Sequence, residues 1–127
     1  MPANTTPIFG LTPNSAAVSF ATANANLDGT GTVATLLTAG ANGSFIVGVW
    51  IKAIVTTTAG MVRIFYHNGT DFFLLHEEPI PAITKSATVP AFEAFVPLNK
   101  AIPTGTTIRV STEAAETFKA IAEAFDY

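Results

Sequence analysis

The feature that most constrains the fold is a series of short segments in which apolar and polar residues alternate, each closed by turn-forming residues. Such alternation places successive side chains on opposite faces of a β-strand. The segments recur roughly every ten residues, which is typical of an all-β domain. They span residues 17–22, 32–37, 45–56, 61–66, 72–77, 88–96 and 106–111.

The strongest turn signal lies between the segments 61–66 and 72–77, which Asn68-Gly69 separates. Both residues tolerate the positive φ that a type I′ turn requires, so the pair predicts a β-hairpin. Pro90 lies within the segment 88–96. Because proline cannot donate a ladder hydrogen bond, we expect an edge strand or a strand start there.

The longest segment, residues 45–56, is apolar on both of its faces, so we expect both faces to be partly covered. Unbroken alternation predicts one face made of Phe45, Val47, Val49, Ile51 and Ala53, and a second made of Ile46, Gly48, Trp50, Lys52 and Ile54.

The stretch 113–127 is ambiguous between a helix and a strand. Its alanines and charged residues favour a helix. However, Phe118, Ala120, Ala122 and Ala124 also alternate with more polar or larger side chains, and the helical apolar face would be narrow. We interpret the stretch as the final strand.

These patterns predict a single all-β domain over residues 16–127, a β-sandwich or jelly roll of roughly seven or eight short antiparallel strands. A length of 127 residues fits one domain. Residues 1–15, with three prolines, predict an extended N-terminal arm. The arm carries the apolar residues Ile8, Phe9 and Leu11, which dock on a surface or belong to a frayed terminus.

The surface is unusually poor in charge. Charged residues make up 12% of the chain, whereas about 25% is typical. Because burying charge is costly, such a surface suits subunit interfaces, and we expect copies of the chain or a partner to cover much of it. The alternative is a plain, threonine-rich soluble domain. The net charge of −3 and the scattered basic residues argue against nucleic-acid binding. No signal peptide or membrane-spanning segment is evident, and cysteine is absent.

Residues that could carry catalysis are few. His67 and His76 flank the predicted hairpin, but no metal-ligand spacing accompanies them. No serine lies in a Gly-x-Ser-x-Gly turn, and Asp28 stands alone in a glycine-rich loop. We therefore predict no enzyme activity, no catalytic, cofactor-binding or metal-binding residues, and no small-molecule substrate.

The aromatic residues are mostly phenylalanine, ten of them against one tryptophan and two tyrosines, which is typical of a core. Neighbouring Phe72 and Phe73 must point to opposite faces of their strand, so one lies outside the sheet, against a partner or under a loop. We favour the partner. The predicted interface residues are Ile8, Phe9, Leu11, Phe72 and Phe73.

Several strand and turn motifs lie in the C-terminal two-thirds of the chain. The most distinctive are Ser86 to Phe92 and Ser111 to Phe118, and further ones are residues 60–65, 74–78, 98–105 and the terminal Asp126-Tyr127. In these motifs the chain resembles small structural proteins of tailed bacteriophages and prophages, of the capsid decoration, or cement, type. The sequence departs from the pattern at residues 122–125, where more glycine is expected.

The resemblance implies a virion protein made in the bacterial host cytoplasm. It would bind the major capsid protein on the outer head surface, associate with itself, most simply as a homotrimer, and grip the shell through its arm. Two alternatives stay open: another virion component, in the tail, an adaptor or a head-fibre base, and a β-sandwich that binds ligands such as glycans.

Overall fold

The computed structural model describes residues 10–127, in which the chain forms β-strands and no helix. The predicted all-β class is confirmed, with nine strands where seven or eight were expected. The extra strand is β1, which has only two residues. The strands are β1 (Thr12–Pro13), β2 (Ala16–Phe20), β3 (Ala34–Thr38), β4 (Ser44–Ala53), β5 (Gly60–His67), β6 (Phe72–Ile80), β7 (Glu93–Ile102), β8 (Thr107–Thr112) and β9 (Phe118–Asp126).

The strands form two antiparallel sheets. The five-stranded sheet has the order β1-β9-β4-β7, and β2 also pairs with β9, beyond β1 along the same edge. The four-stranded sheet has the order β3-β8-β5-β6. Four of the pairings are nested in sequence: β5 with β6, β4 with β7, β3 with β8 and β2 with β9.

One hydrophobic core joins the two sheets, because buried side chains from both belong to a single cluster. Its largest fully buried members from the five-stranded sheet include Ile46, Ile51 and Phe118, and those from the four-stranded sheet include Ile64 and Ile108. Each sheet therefore has one face on the core and one outer face.

The long strand β4 contains a β-bulge that overturns its predicted alternation. The register with both neighbouring strands shifts between Ile46 and Gly48. The extra residue reverses the phase of the side chains. Ile46 is therefore buried with Val49 and Ile51, while Val47 lies with Trp50 on the outer face.

The predicted hairpin is confirmed as β5–β6. The connecting loop has four residues, from Asn68 to Asp71, so it is longer than a two-residue type I′ turn. Only Gly69 has a positive φ there, at 97°. The Asn68 Oδ1 atom accepts hydrogen bonds from the backbone N–H groups of Thr70 and Asp71, and this stabilises the longer loop.

The predicted strand 88–96 is shifted along the chain, because β7 begins at Glu93. The preceding residues form a turn in which the backbone N–H of Ser86 donates to the carbonyl of Val89. Among the described residues, β7 pairs with β4 alone and is therefore an edge strand. Its interior proline is Pro97, opposite Gly48 at the bulge, so the edge rule applies to that residue and not to Pro90.

The interpretation of residues 113–127 as a final strand is confirmed by β9. This strand lies between β2 and β4 and pairs with both. Ala120, Ala122 and Ala124 point into the core, where all three are buried. Pairing along both edges outweighs the helix propensity of the alanines.

Residues 10–15 of the predicted arm lie along β9. The Leu11 N–H donates to the carbonyl of Asp126, and the Asn14 N–H donates to that of Ala124. The Asp126 carboxylate also accepts hydrogen bonds from the Asn14 amide at 2.9 Å and the Ser44 hydroxyl at 2.6 Å. The predicted arm residues Ile8 and Phe9 lie outside the described residues. The described part contains no helix long and apolar enough to cross a membrane.

Candidate interaction surface

The outer face of the five-stranded sheet carries large apolar side chains in a place where water is expected. In β9 the alanines point inward, so Ile121 and Phe125 point outward together with the charged residues. Ile121 is 45% exposed and Phe125 41%. Trp50 of β4 is 41% exposed and Phe95 of β7 is 36% exposed. We call these four side chains the apolar face.

Strand register places the apolar face in two rows that cross the sheet. Trp50 lies directly opposite Phe95 on one side and Ile121 on the other. The Trp50 and Phe95 ring centroids are 5.0 Å apart, with the rings inclined at 50°. In the second row, Phe45 lies opposite Phe125. The apolar residues are thus contiguous across three strands.

A hydrogen bond orients the tryptophan. Its indole Nε1 donates to the Glu123 Oε1 at 3.2 Å, and both groups are exposed. Trp50 and Glu123 lie on neighbouring strands, β4 and β9. This bond satisfies the indole N–H while the rest of the side chain stays 41% exposed.

Charges lie together at one end of the face. Lys52 is opposite Glu93 on one neighbouring strand and Lys119 on the other. The Lys52 ammonium donates to the Ala91 carbonyl at 2.9 Å, and the Lys119 ammonium donates to the Ser19 hydroxyl at 3.1 Å. These groups border the apolar rows without interrupting them.

A shallow depression of about 390 Å³ lies beside Ile121, between β2 and β9. It is open because β2 presents the small residues Ala17 and Ser19 there, next to Lys119. The Trp50 side chain stands across Ile121 from this depression. The face thus combines an exposed aromatic pair, Trp50 and Phe95, with a neighbouring depression.

The outer face of the four-stranded sheet is covered instead. The loop between β2 and β3 is stabilised by the buried Asn24, whose amide donates to the carbonyls of Thr30 and Thr32 at 2.9 Å. Gly29 of this loop touches the ring of Phe72, where a Cβ atom would clash. The loop covers that side of the sheet.

Charged groups complete the cover. The side chain of Arg63 is only 8% exposed and donates to Glu77 at 3.1 Å and Glu113 at 3.0 Å. Its Nη1 atom and the hydroxyl of the directly opposed Ser111 have no hydrogen-bond partner within residues 10–127. Among residues 10–127 the two outer faces therefore differ: a loop and ion pairs cover much of one, and the other presents its apolar side chains without a cover.

Among the described residues, the predicted interface residues Leu11, Phe72 and Phe73 do not lie on one surface. Ile8 and Phe9 are outside the described residues, and Leu11 is 79% exposed beside β9. Phe73 is 52% exposed on β6, at the edge of the other sheet. Phe72 is half-buried under the loop at Gly29, so it packs against its own chain.

The apolar face was missed by the prediction of an interface from sequence. The sequence contains one indication of this face. Ile121 and Phe125 share the outward-facing positions of β9 with Lys119 and Glu123, where polar residues are expected. The position of Trp50 beside these residues was not visible in the sequence. Trp50 meets Ile121 only in the register that the bulge of β4 produces.

The titratable groups of the described residues form no recognisable catalytic arrangement. Ile64 of the core is opposite His76, so His76 and His67, three residues further along β5, project from opposite faces of the sheet. The Nε2 atom of His76 lies 2.9 Å from the Oε1 atom of Glu78, and the His67 ring packs against that of Phe72 with their centroids 4.2 Å apart and the rings inclined at 41°. Residues 10–127 contain no group of three or more potential metal ligands. In the loop before β3, hydrogen bonds from Thr30 lower the pKa of Asp28.

No protein-family model matches the chain, and no curated protein matches its sequence. The open apolar face and the sequence motifs are therefore the grounds for assigning a function.

Proposed function

We propose that this protein is a non-enzymatic bacteriophage virion component, most specifically a capsid decoration protein that binds the major capsid protein on the outer head surface and stabilises the shell. The observation that supports this proposal is the apolar face. Four large apolar side chains, each more than a third exposed, lie together on one sheet face. A contiguous exposed patch of this kind marks an interaction site.

The energetics favour a covered face. An aromatic or large aliphatic side chain has about 150–250 Å² of surface, so each exposed fraction is on the order of 60–100 Å². At about 25 cal/mol per Å², covering one of these side chains contributes roughly 2 kcal/mol. The chain as a whole is poor in charge, with 12% charged residues, but Lys52, Glu93, Lys119 and Glu123 lie beside the apolar side chains. These charged groups need to stay hydrated or to pair with opposite charges of the partner when the face is covered.

We further propose that the two sheets form a jelly-roll sandwich. The nested pairings support this topology, because they are those of a long folded ribbon rolled into two sheets. The single core shared by both sheets fits the same arrangement. Jelly rolls are frequent in viral capsid proteins and in lectins, so the fold agrees with the proposal without deciding it.

Copy number distinguishes a decoration protein from another virion component. Particles of the phage that encodes this chain should contain it in numbers comparable with the major capsid protein, measured by quantitative mass spectrometry of purified heads. A few copies per particle, located at the tail or the neck, would instead identify a tail, adaptor or head-fibre protein. Absence from purified particles would reject a virion role.

Stabilisation requires a second measurement. Heads purified from a deletion strain should lose their DNA at a lower temperature than wild-type heads, and adding the purified protein should restore the original temperature. A change of temperature without restoration would indicate a role in assembly instead of on the finished shell. Self-association as a trimer and a location on the capsid surface remain predictions that the same particles test by electron microscopy.

A second candidate function is glycan binding, which one observation favours. Trp50 and Phe95 form an exposed aromatic pair, and Glu123 lies within hydrogen-bond distance of the indole. Sugars stack on such rings and bond to adjacent carboxylates. Saturable binding on a glycan array, abolished by Trp50→Ala but not by Phe73→Ala, would support it. Because both aromatic residues are exposed, the two variants should fold equally well.

A further inference from the structure

We infer that the apolar face is the contact surface for a second copy of this chain, in a two-fold arrangement that packs the two five-stranded sheets face to face. The arrangement is antiparallel and centred on Ile121, so that β9 of each copy lies over β9 of the other. This pairing concerns the protein in solution. Because the proposed function assigns the same face to contact with the shell, the two contacts exclude each other, and a copy that binds the shell must first leave its partner.

Charge complementarity selects the antiparallel arrangement. Lys119 and Glu123 are exposed on the outer face of β9, two residues before and two residues after Ile121. Same-face neighbours lie about 6.6 Å apart along a strand. A two-fold axis through Ile121 and across the strands therefore places Lys119 of each copy opposite Glu123 of its partner. Two ion pairs form at once, one on each side of the central isoleucine.

The same operation matches three of the four side chains of the apolar face, since Phe125 lies four residues from the axis along β9. Trp50 and Phe95 occupy the same row across the sheet as Ile121, so they lie on the axis and meet their own counterparts. An isologous contact is self-complementary in this way, because the same patch serves both subunits. The hydrophobic centre and charged flanks reproduce the usual division between the core and the rim of an interface.

The area of the face is sufficient for a dimer. The sheet is four strands wide, because β1 and β2 share one edge of β9 and are followed across the sheet by β9, β4 and β7. Each strand adds about 4.8 Å to the width, and the strands are roughly nine residues long, at about 3.3 Å per residue. Its face thus covers roughly 600 Å², and pairing buries on the order of 1,200 Å² in total. This is the lower end of the range for specific interfaces. We therefore expect a reversible dimer.

Charge reversal tests the geometry. Analytical ultracentrifugation of the wild-type protein over a range of concentrations should show an even-numbered species, either a dimer or paired trimers. Lys119→Glu and Glu123→Lys should each raise the dissociation constant on the order of tenfold or more, because like charges then face each other twice. The double variant restores both pairs and should return the constant to within about threefold of wild type. Lys85 is exposed and lies outside the sheets, so Lys85→Glu is the matched control and should leave the dissociation constant unchanged.

A mixing experiment separates this geometry from general charge effects. The Lys119→Glu and Glu123→Lys proteins, each weakened alone, should form a mixed dimer when combined, since both cross pairs are then attractive. Circular dichroism should show unchanged folding, because both side chains are exposed. Ile121→Asp should abolish pairing in every combination.

Three results would overturn the inference. The first is a monomer at all concentrations. The second is a trimer whose mass and stability are indifferent to these variants. The third is a monomer that pairs only after residues 1–9 are removed, which would show that this segment covers the face. None of them bears on whether the protein is present in virions, so the proposed function is tested separately.

Discussion

The bulge in β4 leads to a specific prediction about how two adjacent residues contribute to stability. Ile46 has no exposed surface, whereas its neighbour Val47 is half-buried on the outer face. Uninterrupted alternation would reverse these positions, with Val47 inside beside Val49 and Ile51. We predict that Ile46→Ala destabilises the protein strongly and that Val47→Ala does not.

The magnitudes follow from the atoms removed. Ile46→Ala deletes three buried carbons, and at about 0.8 kcal/mol per carbon this costs roughly 2.4 kcal/mol before any cavity is counted. The cavity raises the total to about 3–4 kcal/mol, within the usual range for such changes. Val47→Ala deletes two partly exposed carbons and should cost less than about 1 kcal/mol. The two variants should therefore differ by at least about 2 kcal/mol.

Urea denaturation measures both free energies of unfolding. All samples need one protein concentration, because self-association makes stability depend on concentration. In a thermal melt, the Ile46→Ala midpoint should fall by about 10–15 °C for a domain of this size. If Val47→Ala proves to be the more damaging variant, β4 has no bulge at this point, and the apolar face as described does not exist.

Three further predictions concern other parts of the molecule. Asp126→Ala should cost about 2–3 kcal/mol by removing the acceptor of Asn14, whereas Asp126→Asn, which keeps an oxygen, should cost under about 1 kcal/mol; equal losses in urea denaturation would contradict the role of the hydrogen bond. Gly29→Ala should destabilise the protein by more than about 1 kcal/mol, because its φ is 83° and the new methyl group meets a phenylalanine ring; an unchanged melting temperature would argue against the loop cover. The pKa of Asp28 should lie below its usual value and return toward it in Thr30→Val, and the stabilising effect of that carboxylate should be lost as pH falls through the lowered pKa; an NMR titration that finds an ordinary value would refute this.

Much of the fold was predictable because its signals are local. The β5–β6 hairpin follows from Asn68-Gly69 and two alternating segments, although the loop proved longer, since the Asn68 side chain bonds to the backbone. β9 follows from alternation despite its alanines. In both cases the residues whose pattern predicts the element are also the residues that form it.

The remaining features depend on contacts that are distant in sequence. The bulge in β4 requires glycine at position 48, because a Cβ atom there would clash with Phe95 and the Val96 carbonyl, and both belong to β7, far along the chain. Pro90 looked like the proline of a strand, but the turn at Ser86 takes up the preceding residues and moves the strand start to Glu93. Neither effect is visible in a short window of sequence.

The same reasoning explains why the sequence did not single out the apolar face. Phe72 and Phe73 attract attention as an adjacent aromatic pair, yet one of them is covered by a loop from another part of the chain. Trp50, Phe95 and Ile121 are each unremarkable in sequence. They become a surface only when three strands, β4, β7 and β9, are placed side by side.

The position of β9 in the middle of the five-stranded sheet has a consequence for how the molecule acquires its structure. Strands β2 and β4 are made early, but they cannot join into a sheet until residues 118–126 are available to lie between them. The β5–β6 hairpin closes over a short loop and is able to form first, whereas the outermost pairing, β2 with β9, spans nearly the whole chain. Chains dominated by such distant pairings fold slowly, in milliseconds to seconds. During synthesis on the ribosome, the edges of β2 and β4 that pair with β9 therefore keep unpaired backbone N–H and C=O groups until β9 emerges. In this interval the protein is most exposed to misassembly with its own copies.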